Sequence, residues 1–148
     1  MTRAGADAVV CVGGDRPALA AIGLHAEPDP RPGAGPLGGV VSALELLAPA
    51  DLVVVAACDL PWLDATTVAA LVAGWHGQPD ADVVCAFTDR PEPLCAAWRT
   101  SAVEPLRLAF EAGERAVRRA WHGLRRVEVS VDPHVLRDVD HPHDLPAS

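Results

Sequence analysis

Two uninterrupted apolar runs limit what this chain can become. Residues 8–12 read AVVCV and stop at Gly13 and Gly14; residues 52–57 read LVVVAA and stop at Cys58 and Asp59. Runs of this length bounded by turn residues predict strands buried on both faces. Between them, Leu37, Val40, Val41, Leu44 and Leu47 recur at helical spacing. Pro36 stands at the start of that helix, where its missing N–H costs nothing. A short helix is expected over 17–22. The four prolines in EPDPRPGAGP, residues 27–36, exclude regular structure there.

The alternation continues. Asp64 is a good N-cap for a helix over 65–75. Strands are expected over 82–87 and 94–98, and the short TDRPEP connection between them allows an antiparallel pair. Helices over 102–111 and 116–121 end at Gly113 and Gly123, and 126–131 alternates as a strand does. Strands alternating with helices predict an α/β sandwich with a mostly parallel sheet covered on both faces. The 148 residues suffice for one such domain and are too few for two.

The composition excludes several classes of function. With 20 acidic against 12 basic residues the net charge is −8, and all the bases are arginine. That leaves no basic stripe for nucleic acid. No apolar run is long enough to span a bilayer, and no signal peptide opens the chain, so a soluble, cytoplasmic protein is expected. Cys11, Cys58, Cys85 and Cys95 form no C-x-x-C pair and are expected as buried, reduced thiols. The four tryptophans are expected to pack rather than stack on a base.

Ligands of such sheets bind beyond the carboxyl ends of the strands. Asp59 follows the carboxyl end of the strand at 52–57, where a carboxylate can hold a metal ion or simply cap the Asp-x-Pro turn. GAGPLG at 33–38 matches G-x-G-x-x-G, but prolines rather than a strand precede it, so dinucleotide binding is set aside. Gly33, Gly35 and the following helix start instead make a loop whose backbone can approach an anionic ligand.

Five blocks then occur in order: D-x5-GPLGG at 29–39, ACDLP at 57–61, PEPLCAAWR at 91–99, EAGERAVRR at 111–119 and DVDHPHDL at 138–145. Together they resemble the molybdenum cofactor guanylyltransferases, the MobA-like nucleotidyltransferases, over nearly the whole chain. The resemblance implies a Rossmann-like three-layer α/β/α sandwich. It also implies transfer of GMP from GTP to the phosphate of molybdopterin, with release of pyrophosphate. Partners would be GTP, a molybdopterin-type acceptor, and a molybdoenzyme or its chaperone.

By this resemblance Asp59 is the Mg²⁺-binding catalytic aspartate and Asp140 a second metal-side residue. Val12, Gly13, Asp29, Gly35, Pro36 and Leu37 lie along the nucleotide, with Asp29 toward the guanosine. Mg²⁺ suits such a site, since one or two carboxylates plus substrate phosphates are its usual ligands. The block at 138–142 carries aspartates where the family more often has asparagines, which also fits a cytidylyltransferase or another small-molecule nucleotidyltransferase. A non-catalytic binding relative is the third reading. His141 and His143 are expected to be solvated.

The family opens with a strand and a glycine-rich loop of the form L-A-G-G-x-S-x-R-M-G-x-D-K, which is not in this sequence. Its loss would remove roughly 40 residues of strand, loop and helix. It would also remove the cations that stabilise the leaving pyrophosphate, at roughly 3 kcal/mol per lost donor. The chain is therefore expected to be the carboxyl-terminal part of a guanylyltransferase, impaired or inactive alone. Its first strand and the strand at 52–57 should then either pair directly or leave two open edges.

Overall fold

A computed structural model describes residues 5–139. Six strands and five α-helices form in the order β1 (Val10–Val12), α1 (Arg16–Ala21), β2 (His25–Glu27), α2 (Gly35–Leu46), β3 (Leu52–Ala56), α3 (Ala65–Gly77), β4 (Val83–Phe87), β5 (Pro91–Arg99), α4 (Val103–Glu111), α5 (Val117–Ala120) and β6 (Arg126–Ser130). The main sheet has the order β3-β5-β4-β6. In it β3, β4 and β6 run one way and β5 alone is reversed. β1 and β2 form a separate parallel pair.

The period of two in the strands sorts side chains between two cores. Val83, Cys85, Ala96 and Trp98 face one side, where Leu37, Val41 and Leu44 of α2, Leu106 of α4 and Trp121 pack on them. Val84, Ala86, Cys95 and Ala97 face the other, against Leu71 of α3. This is the expected α/β/α sandwich. α3 lies close to the sheet because Gly74 carries no side chain: a Cβ there would stand 3.0 Å from both Val84 and Val129.

Several boundaries differ from expectation. The strand β2 was not foreseen; three residues, His-Ala-Glu, give too short a period to read. Glu27 therefore closes a strand and Gly35–Pro36 open a helix, so the irregular segment is 28–34. β5 begins at Pro91, three residues early. Its register slips between Cys85↔Ala96 and Ala86↔Glu92, so extra β5 residues bulge out around Pro93. The bulge takes Pro93, which has no N–H to donate, out of the ladder with β4. Asp64 does cap α3, its Oδ1 accepting the N–H of Thr67 at 2.7 Å.

Among the described residues β1 and β3 do not pair. α2 packs on both, so they share a layer, each with an edge that no described strand covers. Of the two outcomes expected for this place, the open edges are the one seen.

Candidate functional site

The site is built where β1, the 28–36 segment and β3 end. Val12 closes β1 and is half-buried. Gly13 and Gly14 follow with φ of +76° and +81°, a region that side chains disfavour. The Gly13 N–H donates to the Glu27 carbonyl at 2.9 Å. A Cβ at Gly13 would lie 3.3 Å from the Cβ of Asp29. The chain leaving β1 thus lies directly against Asp29, and only glycine allows that approach.

Asp29 is held from two sides. Its Oδ1 accepts the Arg31 N–H at 2.9 Å, an Asx turn, and the hydroxyl of Ser42 on α2 at 3.3 Å. Ser42 is fully buried. Arg31 donates to the Ser42 hydroxyl at 3.2 Å and to both oxygens of Glu45, at 2.8 and 3.1 Å. Asp29 is therefore oriented before any ligand arrives, with its second oxygen uncommitted among the described residues.

The helix start divides the three residues expected there. Gly35, at φ +78°, and Pro36 are exposed. Leu37 is fully buried in the core, and its N–H donates to the Arg115 carbonyl at 3.1 Å. Leu37 anchors α2 in the core, with its N–H engaged.

Asp59 is exposed just beyond β3, where the Ala57 N–H donates to the Leu94 carbonyl at 2.7 Å. The Asp59 carboxylate makes no hydrogen bond among the described residues. Its carbonyl accepts the N–H of Val139 at 3.0 Å, which brings Asp138 and Val139 alongside. Trp62 helps to hold that segment: its ring lies 5.1 Å from that of His134 and 5.3 Å from the Arg137 guanidinium. Asp140, His141 and His143 lie outside the described residues.

Cys58 is exposed, against the expectation of a buried thiol, because the turn carrying Asp59 lifts it off the sheet end. Partial desolvation raises its pKa, and the neighbouring Cys11 and Asp59 add to the rise. Cys85 and Cys95 are buried as expected, and all four thiols are free.

Two ion-paired residues were not found from sequence. A hollow of about 220 Å³ between Pro36, the β5 bulge at Pro93 and the first turn of α5 is bordered by Glu92 and Arg118, paired at 3.0 Å. Each sits in a family-like block, but no local spacing links positions 92 and 118. A larger hollow of about 380 Å³, at Asp51, Arg99 and Thr100, opens at the opposite end of β3 from Asp59.

The donor set fits a substrate-bridged Mg²⁺. Asp59 offers a free, exposed carboxylate beside an aspartate-bearing segment, and hard oxygen ligands are what Mg²⁺ takes. Among the described residues no three His, Cys, Asp or Glu side chains group to hold a metal alone. Phosphate oxygens would have to complete such a shell. No described helix is long and apolar enough to cross a membrane.

The MobA-like NTP transferase domain matches residues 1–128. The chain is 38% identical over 102 residues to a probable molybdenum cofactor guanylyltransferase of Chloroflexus aggregans, covering 68% of this chain and 48% of that one. It is 35% identical over 133 residues to a molybdenum cofactor guanylyltransferase of Xanthomonas euvesicatoria, covering 88% and 65%. The chain spans about half the length of the curated relatives it matches. A solved molybdopterin-guanine dinucleotide biosynthesis protein A from Archaeoglobus fulgidus has the same fold, with a TM-score of 0.73 at 23% identity over 91% of this chain and 73% of that one. A protein of Aquifex aeolicus superposes at 0.78 with 18% identity, over 90% and 71%.

Proposed function

This chain belongs to the MobA-like NTP transferase family, and from that premise we propose that it carries part of a guanylyltransferase site that transfers GMP from GTP to the phosphate of molybdopterin. An acceptor phosphate oxygen attacks the α-phosphorus of GTP. The bond from that phosphorus to the bridging oxygen breaks, and pyrophosphate leaves with the electron pair. The close approach of Gly13 to Asp29, where an added Cβ would stand 3.3 Å away, carries the proposal, because it sets a bare stretch of backbone beside an oriented carboxylate.

Asp29 would accept hydrogen bonds from the guanosine through its uncommitted oxygen. Gly35 and Pro36 would line the path of the phosphates at the α2 N-terminus, where the helix field favours anions. Asp59, with Asp140 by the family resemblance, would hold Mg²⁺ on the phosphates. When bound, that ion would offset their charge and align them for in-line displacement. Glu92 and Arg118 border the hollow next to Pro36 and would face the acceptor side.

We further propose that these residues alone support little turnover. The described arginines around the site are largely engaged: Arg31 by Glu45, Arg118 by Glu92 and Arg115 by backbone carbonyls. The open edges of β1 and β3 fit a strand and glycine-rich loop between them. The test is pyrophosphate release from Mg-GTP and molybdopterin by this chain and by a version extended with that unit. Turnover only in the extended version supports the proposal; turnover in the short chain would show that the loop is not required.

A further inference from the structure

Within the block Glu111–Arg119, the α4–α5 turn around Glu114 has been given no ligand role above, yet it reaches the start of α2. That helix opens without a side-chain cap: Ala34 stands at the N-cap and Pro36 brings no N–H. Helix N-termini leave backbone donors unsatisfied unless something accepts from them. Here the Leu37 N–H is taken by the Arg115 carbonyl, from the turn between α4 and α5.

Glu114 builds that turn. Its Oε1 accepts the N–H groups of Arg115 and Ala116, both at 2.7 Å. The Arg119 guanidinium closes on the same carboxylate at 2.6 and 2.7 Å. The Arg115 side chain turns back, donating to the carbonyls of Phe110 and Glu114 and lying 4.3 Å over the Phe110 ring. Phe110 also underlies Arg31, at 5.7 Å, and closes the space at Gly38 to 3.3 Å. Arg31 leads through Ser42 to Asp29. Both ends of the 29–37 segment therefore lean on the turn that Glu114 organises.

We propose that Glu114 is a positioning residue for the ligand loop: its carboxylate fixes the α4–α5 turn so that the Arg115 carbonyl caps α2 and sets Gly35 and Pro36 for nucleotide contact. The role in ligand binding rests on the function proposed above; the cap itself does not.

The experiment reads amide exchange at Leu37 by NMR, together with Mg-GTP affinity, in the wild type, Glu114→Ala, Glu114→Gln and Arg119→Ala. Local opening of one cap, without global unfolding, raises exchange there alone. Glu114→Ala is expected to speed Leu37 exchange roughly tenfold, leave β4 amides unchanged and weaken Mg-GTP binding severalfold. Glu114→Gln keeps an acceptor for the two N–H groups and should rescue most of the loss. Arg119→Ala, at an exposed partner, should give a smaller effect of the same kind and serves where Glu114→Ala fails to fold. Unchanged Leu37 exchange in these variants overturns the proposal, as does faster exchange with unaltered GTP affinity. A wild type that binds no GTP would contradict the proposed function and, with it, the ligand role of Glu114.

Discussion

The carbonyl oxygen of Asp59 accepts the N–H of Val139 at 3.0 Å, joining the end of β3 to the segment that follows β6. The bond uses only backbone, so the Asp59 carboxylate stays exposed and makes no hydrogen bond among the described residues. Replacing that carboxylate should leave the fold intact. Asp59→Ala is expected to change unfolding free energy by no more than about 0.5 kcal/mol, as surface substitutions without partners do. Chemical denaturation checks this, and a larger loss would show that Asp59 is structural.

Trp62 packs against His134 and Arg137, just before the segment that carries Val139. Trp62→Ala removes a cation–π contact worth about 0.5–1 kcal/mol. Exchange at the Val139 amide should rise about two- to fivefold, that same energy expressed as a population of open states. Amides of β4 and β5 should not change.

The four cysteines should separate by reactivity. Burial pushes the Cys85 thiol up to about 11 and the Cys95 thiol up to about 12. Both therefore remain protonated and unreactive at pH 8. Cys58, being exposed, should react first with a disulfide reagent, and Cys11 more slowly. Cys85 and Cys95 should react only after denaturation. Mg-GTP should slow the reaction at Cys58, which adjoins Asp59.

Glu114 should leave a signature at acid pH. The Arg119 guanidinium, then the N–H groups of Ala116 and Arg115, hold its carboxyl at about 2 instead of the ordinary 4.5. Between those values the unfolded chain binds the proton and the folded chain does not, so stability rises with pH. The contribution is fully present above about 4.5 and is lost as pH falls through about 2. Denaturant midpoints measured from pH 5 down to 2 should fall less steeply in Glu114→Gln than in the wild type.

The layers of the fold were legible because they follow from periodicity. Leu52–Ala56 and Val83–Phe87 are apolar on both faces, and Asp64 announces α3 through a side chain that caps its own helix. What was hidden depends on contacts between distant residues. The antiparallel β5 extends back past Pro93 because a bulge takes that residue out of the ladder with β4, and no local pattern reports a bulge. Leu37 looked like part of a glycine-rich ligand loop, but its N–H is consumed by Arg115, 78 positions away. Asp29 and Asp59 could be picked out as carboxylates at the right ends of elements. That Gly13 approaches Asp29 closely, or that Glu92 pairs with Arg118, required the fold.

The most direct test of the account is a calorimetric titration of this chain with GTP, with and without Mg²⁺, repeated with CTP and with Asp59→Ala. The expected result is binding that requires Mg²⁺, favours GTP and is lost on replacement of Asp59. Binding indifferent to both Mg²⁺ and Asp59, or no binding at all, would contradict a nucleotide site at the ends of β1 and β3.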